Sequence, residues 1–175
     1  MTIAASNPTD HSAYRYGAAA LFIAAAGIVI ALGFQHLAGM APCPLCLQQR
    51  WAYYVGVPGL FAALVLLSAG QERWAAMLFL LVSLAFLANA GLGVYHAGAE
   101  WGFWPGPATC AGGQALTTTA GNLLEELQRT SVVRCDEAAG RFLGLSFPGW
   151  NVIASLLVMF LGMRAAAEAW HANRF

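Results

Sequence analysis

Four long apolar runs divide the chain, and charged side chains are largely confined to the segments between them. The runs cover residues 17–36, 50–69, 74–95 and 147–167. Each is close to the ~20 residues that a helix needs to cross about 30 Å of hydrocarbon. None alternates in polarity as a barrel strand would, and a segment in lipid must satisfy its own backbone hydrogen bonds. The pattern therefore predicts four transmembrane helices.

The predicted fold is an all-α membrane protein, in which residues 1–175 form a single integral membrane domain built as a four-helix bundle. Residues 1–14 are predicted to be a disordered tail, and residues 96–146 a long loop between the third and fourth helices. The first run is longer than the apolar part of a signal peptide, about 7–15 residues, so we expect it to stay as a helix. The six tryptophans lie at or just beyond the ends of the runs, where an indole can reach the headgroup level.

The composition excludes a soluble protein and a nucleic-acid binder. Hydrophobic residues make up 59% of the chain and charged residues only 9%, against roughly 25% charged in a soluble domain. The formal net charge is zero and all eight basic residues are arginines, so no basic patch marks a nucleic-acid partner. The partner that the composition predicts is the lipid bilayer.

The four cysteines are the candidate chemistry. Cys43-Pro-Leu-Cys46 lies in the predicted hairpin between the first two helices, and Cys110 and Cys135 lie in the long loop. Two intervening residues bring the sulfurs of Cys43 and Cys46 within bonding reach and commonly lower one thiol's pKa. A disulfide across so short a loop gains little entropic stabilisation, and a four-cysteine zinc site usually has two close pairs. We therefore expect redox-active cysteines and no metal site.

Two further residues are candidates for the same chemistry. Arg50 lies one helical turn after Cys46, where its charge would favour a thiolate. The alternative for Arg50 is an interfacial arginine that only reaches the headgroups. His96, just past the third predicted helix, can hydrogen-bond a carbonyl oxygen or carry a proton near neutral pH, although a lone interfacial histidine can also be incidental. A membrane dithiol that makes disulfides must pass on two electrons, and the apolar interior favours a lipid-soluble acceptor over a nucleotide.

The orientation follows from the cysteines. Four helices place both termini on one side of the membrane, but four arginines flank each face, so positive charge alone does not orient the chain. All four cysteines fall on the face that carries the long loop, and disulfides persist only in an oxidising compartment. We therefore expect the cysteines in the periplasm and both termini in the cytoplasm.

Several motifs occur in the order found in a known family. They are Cys43-Pro-Leu-Cys46-Leu-Gln-Gln-Arg50, Tyr95-His96, Cys110 preceded by Pro105 and Pro107, Cys135-Asp-Glu, and Phe142-Leu-Gly-Leu-Ser-Phe-Pro-Gly-Trp150. Together they resemble the DsbB family of disulfide bond formation proteins of the bacterial inner membrane, from the first helix to the last. One departure is Gln49, which stands where some members carry an acid.

The resemblance implies an enzyme, a quinone-dependent protein dithiol oxidoreductase with resting disulfides Cys43–Cys46 and Cys110–Cys135. A periplasmic DsbA-type thiol oxidase would reduce the Cys110–Cys135 bond, and those thiols would then reduce Cys43–Cys46. Cys46 would pass the electrons to a quinone, with ubiquinone favoured over menaquinone. Arg50 and His96 match the residues of the family's quinone site.

Other interpretations of the cysteines remain open. An enzyme of the vitamin K epoxide reductase type also couples disulfides to quinones, but its Cys-x-x-Cys lies in a late helix. A membrane carrier for a soft metal could use the vicinal thiols of Cys43 and Cys46, but would have no use for the Cys110 and Cys135 pair. A structural membrane subunit could carry inert cysteines.

Overall fold

Four long helices and one short hairpin make up the part of the chain that the computed structural model describes, residues 8–107, 135, 138 and 140–172. The helices are α1 (Pro8–His36), α2 (Pro44–Ser68), α3 (Glu72–Glu100) and α4 (Phe147–Ala172). The hairpin pairs β1 (Arg141–Phe142) with β2 (Leu145–Ser146) in antiparallel register. Each helix packs against two others, in a ring that runs from α1 through α2 and α3 to α4 and back to α1.

The interior of the ring is filled by a few large side chains among many alanines. Leu60, Phe79, Phe86 and Val158 are fully buried, and alanines from all four helices surround them. Small residues let helices approach closely, which is how helices associate in lipid, where hydrophobic burial no longer drives packing.

Large apolar side chains also cover the outside of the bundle, including Phe22, Phe61, Leu81 and Phe160. Exposure of this apolar surface to water would be unfavourable, whereas in the hydrocarbon of a bilayer it needs no polar side chains. All four helices are long and apolar enough to cross a membrane. The protein is therefore a four-helix membrane protein, and the predicted fold class is confirmed.

The helix ends differ from the predicted ones by up to nine residues. Helix α1 begins at Pro8, so residues 8–14, predicted as a disordered tail, are helical. Helix α3 continues to Glu100, which places His96 inside the helix and not after it. Helix α4 ends at Ala172 and not at residue 167. These extensions contain polar residues, so the apolar runs mark the membrane-crossing length and not the full length of each helix.

Helix α2 begins at Pro44, six residues before its predicted start. Proline is favoured in the first turn because its fixed φ suits a helix and its missing N–H needs no partner there. Cys43 is the N-cap, and its sulfur takes the place of the oxygen of a more common capping residue. Cys46 and Arg50, predicted before and at the start of the helix, therefore both lie within it.

The hairpin explains part of the motif between Phe142 and Trp150. Its turn has positive φ at Leu143 (52°) and Gly144 (83°), as two-residue hairpins of the primed turn types require. The Trp150 indole N–H donates to the Phe142 carbonyl at 2.9 Å, which holds the hairpin against the start of α4. Most of the predicted long loop, including Cys110, lies outside the described residues.

Candidate active site at one end of the bundle

Cys43 lies at the start of α2 with its side chain turned into the bundle, and it is 3% exposed. Its sulfur accepts a hydrogen bond from the Cys46 backbone N–H at 3.2 Å and lies 2.8 Å from the Cys46 sulfur. Both contacts follow from the helical start at Pro44, which folds residue 46 back over residue 43. The Cys43 sulfur is therefore both the N-cap acceptor of α2 and the candidate reactive atom.

Cys43 and Cys46 are free thiols in the structure. From the sequence we predict a Cys43–Cys46 disulfide in the resting protein, and that pairing stays a prediction. The two sulfurs are 2.8 Å apart and face each other within hydrogen-bonding distance.

Cys135 and His96 complete the cluster. The Cys43 sulfur, the Cys135 sulfur and a ring nitrogen of His96 all lie within 4.8 Å of one another, and all three residues are buried. Cys135 is disulfide-bonded. A free thiol, a disulfide sulfur and an imidazole thus meet in one buried position, which α2, α3 and the segment before the hairpin assemble.

The hydrogen bond from the Cys46 thiol lowers the pKa of Cys43 well below its ordinary value. Donation from His96 and from the Cys46 backbone N–H acts in the same direction, while burial opposes ionisation. Cys43 is therefore the thiol of the pair that ionises more readily in this state. The sequence alone predicts the thiolate at Cys46, beside Arg50, whereas these hydrogen bonds favour a thiolate at Cys43.

The Arg50 side chain contacts α1. Its guanidinium donates to the Gln35 side chain and, at 3.5 Å, to the Ala31 carbonyl. The residue is half-buried, and an arginine presents five N–H donors. These contacts connect α1 to α2 and leave further donors for a ligand that approaches from the membrane.

His96 lies deep in the site, with 1% of its surface exposed. Its Nε2 is 3.6 Å from the Cys43 sulfur and 4.0 Å from Glu100 Oε1, and its Nδ1 is 2.9 Å from Gln49 Nε2. The resemblance implied that His96 contacts a quinone. In this geometry both ring nitrogens face protein groups, and a quinone oxygen would have to displace one of them.

A polar network that the sequence analysis did not identify continues from His96 into the bundle. Asn151 donates to Gln49, and Tyr53, Asn89 and Ser155 donate to Asn151. Polar residues inside an apolar span are functional candidates by default. Asn89, Asn151 and Ser155 are visible in the sequence as polar residues within apolar runs, but the sequence does not show that they meet.

Four spanning helices around a buried thiol and a disulfide sulfur define the class, a multi-pass membrane protein equipped for thiol–disulfide exchange. The family model for disulfide bond formation protein DsbB matches residues 14–165, and the chain belongs to this family. The family name identifies its role as disulfide bond formation. The vitamin K epoxide reductase interpretation is thereby superseded.

Curated relatives agree over most of their length. A disulfide bond formation protein B of Marinobacter nauticus is 32% identical over 82% of this chain and 86% of the relative. That of Nitrosomonas eutropha is 32% identical over 86% of this chain and 91% of the relative. That of Saccharophagus degradans is 28% identical over 95% of this chain and 97% of its own length. No solved structure gives a significant match.

Proposed function

We propose that the protein reoxidises a periplasmic DsbA-type thiol oxidase and passes the electrons to a membrane quinone, so that disulfide bonds continue to form in exported proteins. The observation that carries this proposal is the meeting of the Cys43 thiol with the disulfide-bonded Cys135 within 4.8 Å. Thiol–disulfide exchange requires a thiolate beside a disulfide sulfur, and Cys43 combines a lowered pKa with that position.

The electrons enter at the loop cysteines. The dithiol of the reduced partner attacks the Cys110–Cys135 disulfide; the partner becomes a disulfide, and Cys110 and Cys135 become thiols. The Cys135 thiolate then attacks Cys43 of an oxidised Cys43–Cys46 pair, so that a Cys43–Cys135 bond forms and Cys46 leaves as a thiolate. Attack by Cys110 on Cys135 releases Cys43. Cys43 and Cys46 are then both reduced and Cys135 is again disulfide-bonded. The free thiols of Cys43 and Cys46 and the disulfide bond of Cys135 support this end point.

The electrons leave from the outer side of α2. A quinone, when bound, accepts two electrons and two protons while the Cys43–Cys46 disulfide re-forms. Cys46 and Arg50 are both half-buried and share a face of α2, because helix positions four apart lie above one another. Leu47, Trp51 and Tyr54 beside them are exposed on the membrane-facing side, which suits a lipid-soluble acceptor. Arg50 is the residue that would donate to its oxygen, and ubiquinone remains favoured over menaquinone.

Soft-metal transport is the second candidate, because Cys43, Cys135 and His96 supply three donor atoms within 4.8 Å of one another. A disulfide-bonded sulfur is not a thiolate ligand, however, and Cys135 is disulfide-bonded. Cys135 could bind a metal only after its disulfide bond had been reduced. Electron transfer uses the disulfide directly, so the geometry favours the oxidoreductase.

A turnover assay separates the two functions. Purified protein in detergent is mixed with a reduced DsbA-type oxidase and ubiquinone, and we expect one quinone reduced for each partner dithiol oxidised. Menaquinone in a parallel reaction tests the choice of acceptor. Stoichiometric binding of mercury or copper without quinol formation would favour the carrier and overturn the oxidoreductase.

The proposed orientation places the cysteine end in the periplasm and both termini in the cytoplasm. Leu37, 91% exposed, lies in the connection at the cysteine end, and Gln71 is exposed in the connection at the other end. In a variant without native cysteines, Leu37→Cys should react with a membrane-impermeant thiol reagent in intact cells. Gln71→Cys, the matched control, should react only after permeabilisation; the reverse pattern would invert the orientation.

A further inference from the structure

The polar groups around His96 are divided between its two ring nitrogens. On the Nε2 side lie two acceptors, the Cys43 sulfur at 3.6 Å and Glu100 Oε1 at 4.0 Å. On the Nδ1 side lies Gln49 Nε2 at 2.9 Å. A neutral imidazole carries its proton on one nitrogen only, and the partner of the other nitrogen decides which. Gln49 is therefore placed to choose the tautomer.

The orientation of the Gln49 amide is fixed from its other end. Asn151 Nδ2 donates to Gln49 Oε1 at 2.7 Å, so the amide oxygen of Gln49 faces Asn151 and its NH₂ faces His96. If the Gln49 amide were reversed, two NH₂ groups would oppose each other inside the bundle. Leaving buried donors unpaired is unfavourable, so this reversed orientation is disfavoured.

Asn151 is itself held in one direction. Its Oδ1 accepts from the Tyr53 hydroxyl at 2.7 Å, from Asn89 Nδ2 at 3.3 Å and from the Ser155 hydroxyl at 3.4 Å. With the oxygen occupied by these donors, the Asn151 NH₂ is left for Gln49. Every hydrogen bond from Tyr53 to His96 thus donates in the same direction, toward the cysteines.

We propose that Gln49, oriented by Asn151, is a positioning residue that sets the tautomer of His96, with Nδ1 accepting from Gln49 and the ring proton on Nε2, so that His96 donates to the Cys43 sulfur. A proton on Nδ1 would point at the Gln49 NH₂ and break the hydrogen bond between them. The Cys43 sulfur then accepts from the Nε2 N–H. This rests on the proposed function only in taking Cys43 as the reacting thiol.

The charged and titratable groups around His96 are consistent with this assignment. Glu100, on the same helix, and Cys43, before α2, both face Nε2, and Cys135 lies within 4.8 Å of the same cluster. Arg141 of β1 acts electrostatically on Glu100. The residues that α4 contributes to this network, Asn151 and Ser155, are neutral.

The test is nitrogen NMR of protein labelled with ¹⁵N-histidine, in which the His96 signal is the one lost in His96→Asn. In the wild-type protein Nδ1 should be unprotonated and Nε2 protonated. In Gln49→Glu a carboxylate replaces the amide donor, and Nδ1 should become protonated. A wild-type Nδ1 that carries a proton would overturn the proposal.

Asn151→Asp tests the orientation from a distance and leaves Gln49 in place. The isosteric carboxylate accepts from the Gln49 NH₂, so the amide should turn, present its oxygen to His96 and draw a proton onto Nδ1. Tyr53→Phe is the matched control, because it removes one donor to Asn151 and leaves two that fix the same direction; its His96 signals should match the wild type. An unchanged Nδ1 in both Asn151→Asp and Gln49→Glu would overturn the proposal even if quinone turnover were normal.

The reactivity of Cys43 supplies a second readout that does not involve the partner or the quinone. Alkylation of Cys43, followed by peptide mapping across pH, should show one titration in the wild-type protein. In Gln49→Glu the profile should differ from that of the wild type, because a proton on Nδ1 changes what Nε2 presents to the Cys43 sulfur. Gln49→Asn, too short to reach both neighbours, should slow alkylation near neutral pH. An unchanged profile in both variants would show that Gln49 does not act through His96. If the proposed function failed instead, quinone reduction would be absent while the His96 nitrogen signals and the Cys43 alkylation profile still behaved as expected.

Discussion

The two ends of the bundle interior are built from different side chains. At one end, which we call the apolar end, Phe79 packs with Leu64, Leu67 and alanines such as Ala75. At the other, the cysteine end, the interior holds Cys43 together with the polar side chains of His96, Gln49, Asn89, Asn151 and Ser155. Both ends are enclosed by the same four helices, so the difference lies in the residues and not in the architecture.

Apolar packing explains the residues of the apolar end but not those of the cysteine end. Buried polar groups are tolerated when they are hydrogen-bonded, but apolar side chains of similar volume often stabilise a protein as well or better. The polar interior therefore has to be explained by its chemistry, the control of Cys43. We expect substitutions at the cysteine end to change turnover more than stability, and substitutions at the apolar end to do the reverse.

The largest effect on turnover should come from Cys43→Ser. A hydroxyl cannot form a disulfide, so quinone reduction coupled to partner oxidation should be abolished. Serine is among the best N-cap residues, so α2 should still begin at Pro44 and the melting temperature in detergent should stay close to that of the wild type. Residual coupled turnover in Cys43→Ser would mean that the electrons bypass Cys43.

Arg50→Gln should give the next largest effect. Removing one electrostatic donor to a developing negative charge typically costs a factor of about 10²–10³ in rate, or about 3–4 kcal/mol. Arg50→Lys keeps the charge but loses the planar fork, so it should be impaired less. Steady-state quinone reduction measures the loss, and single-turnover thiol exchange with the partner should remain near normal. If Arg50→Gln reduced quinone normally, the role of Arg50 would be limited to connecting α1 with α2.

His96→Phe should act on Cys43 with a smaller effect. Without the Nε2 donor the pKa of Cys43 should rise, because hydrogen bonding to the thiolate is one of the causes that lower it. A hydrogen bond to a charged group is worth about 1.5–3 kcal/mol, which at 1.36 kcal/mol per pKa unit corresponds to roughly a 10- to 100-fold loss of thiolate. At a pH below the wild-type pKa of Cys43, alkylation should slow by that factor, and between the wild-type and the raised pKa it should slow by less. An unchanged rate would show that Cys46 alone controls the thiol.

The four helices could be predicted from the sequence because lipid imposes both their length and their type. Their ends could not, since those depend on local chemistry outside the apolar runs. The start of α2 is the clearest case. Proline at the first helical position is a known signal, but cysteine is not among the usual N-cap residues, and the hairpin was predicted to continue past Cys46.

The site was predictable as a set of residues but not as an arrangement. Spacing identified Cys43, Cys46 and Arg50, whereas the contact between Cys43 and His96 depends on the register in which α2 packs against α3. The same long-range packing decides that Cys43, and not Cys46, lies next to the His96 ring. Asn89 and Asn151 were visible as polar residues within apolar runs, and only their meeting across α3 and α4 reveals a network.

Phe79→Ala should have the smallest effect on turnover. The ring is fully buried and packs against the Gly17 backbone of α1, so truncation leaves a cavity that the helices cannot easily close. Such changes typically cost about 3–5 kcal/mol of stability, which thermal unfolding in detergent can measure. Phe22→Ala, at a 75% exposed position of α1, is the control and should unfold close to the wild type. At temperatures where both variants are folded, quinone reduction and Cys43 alkylation should match the wild type. A Phe79→Ala protein that kept its stability but lost turnover would contradict the assignment of stability to the apolar end and of turnover to the cysteine end.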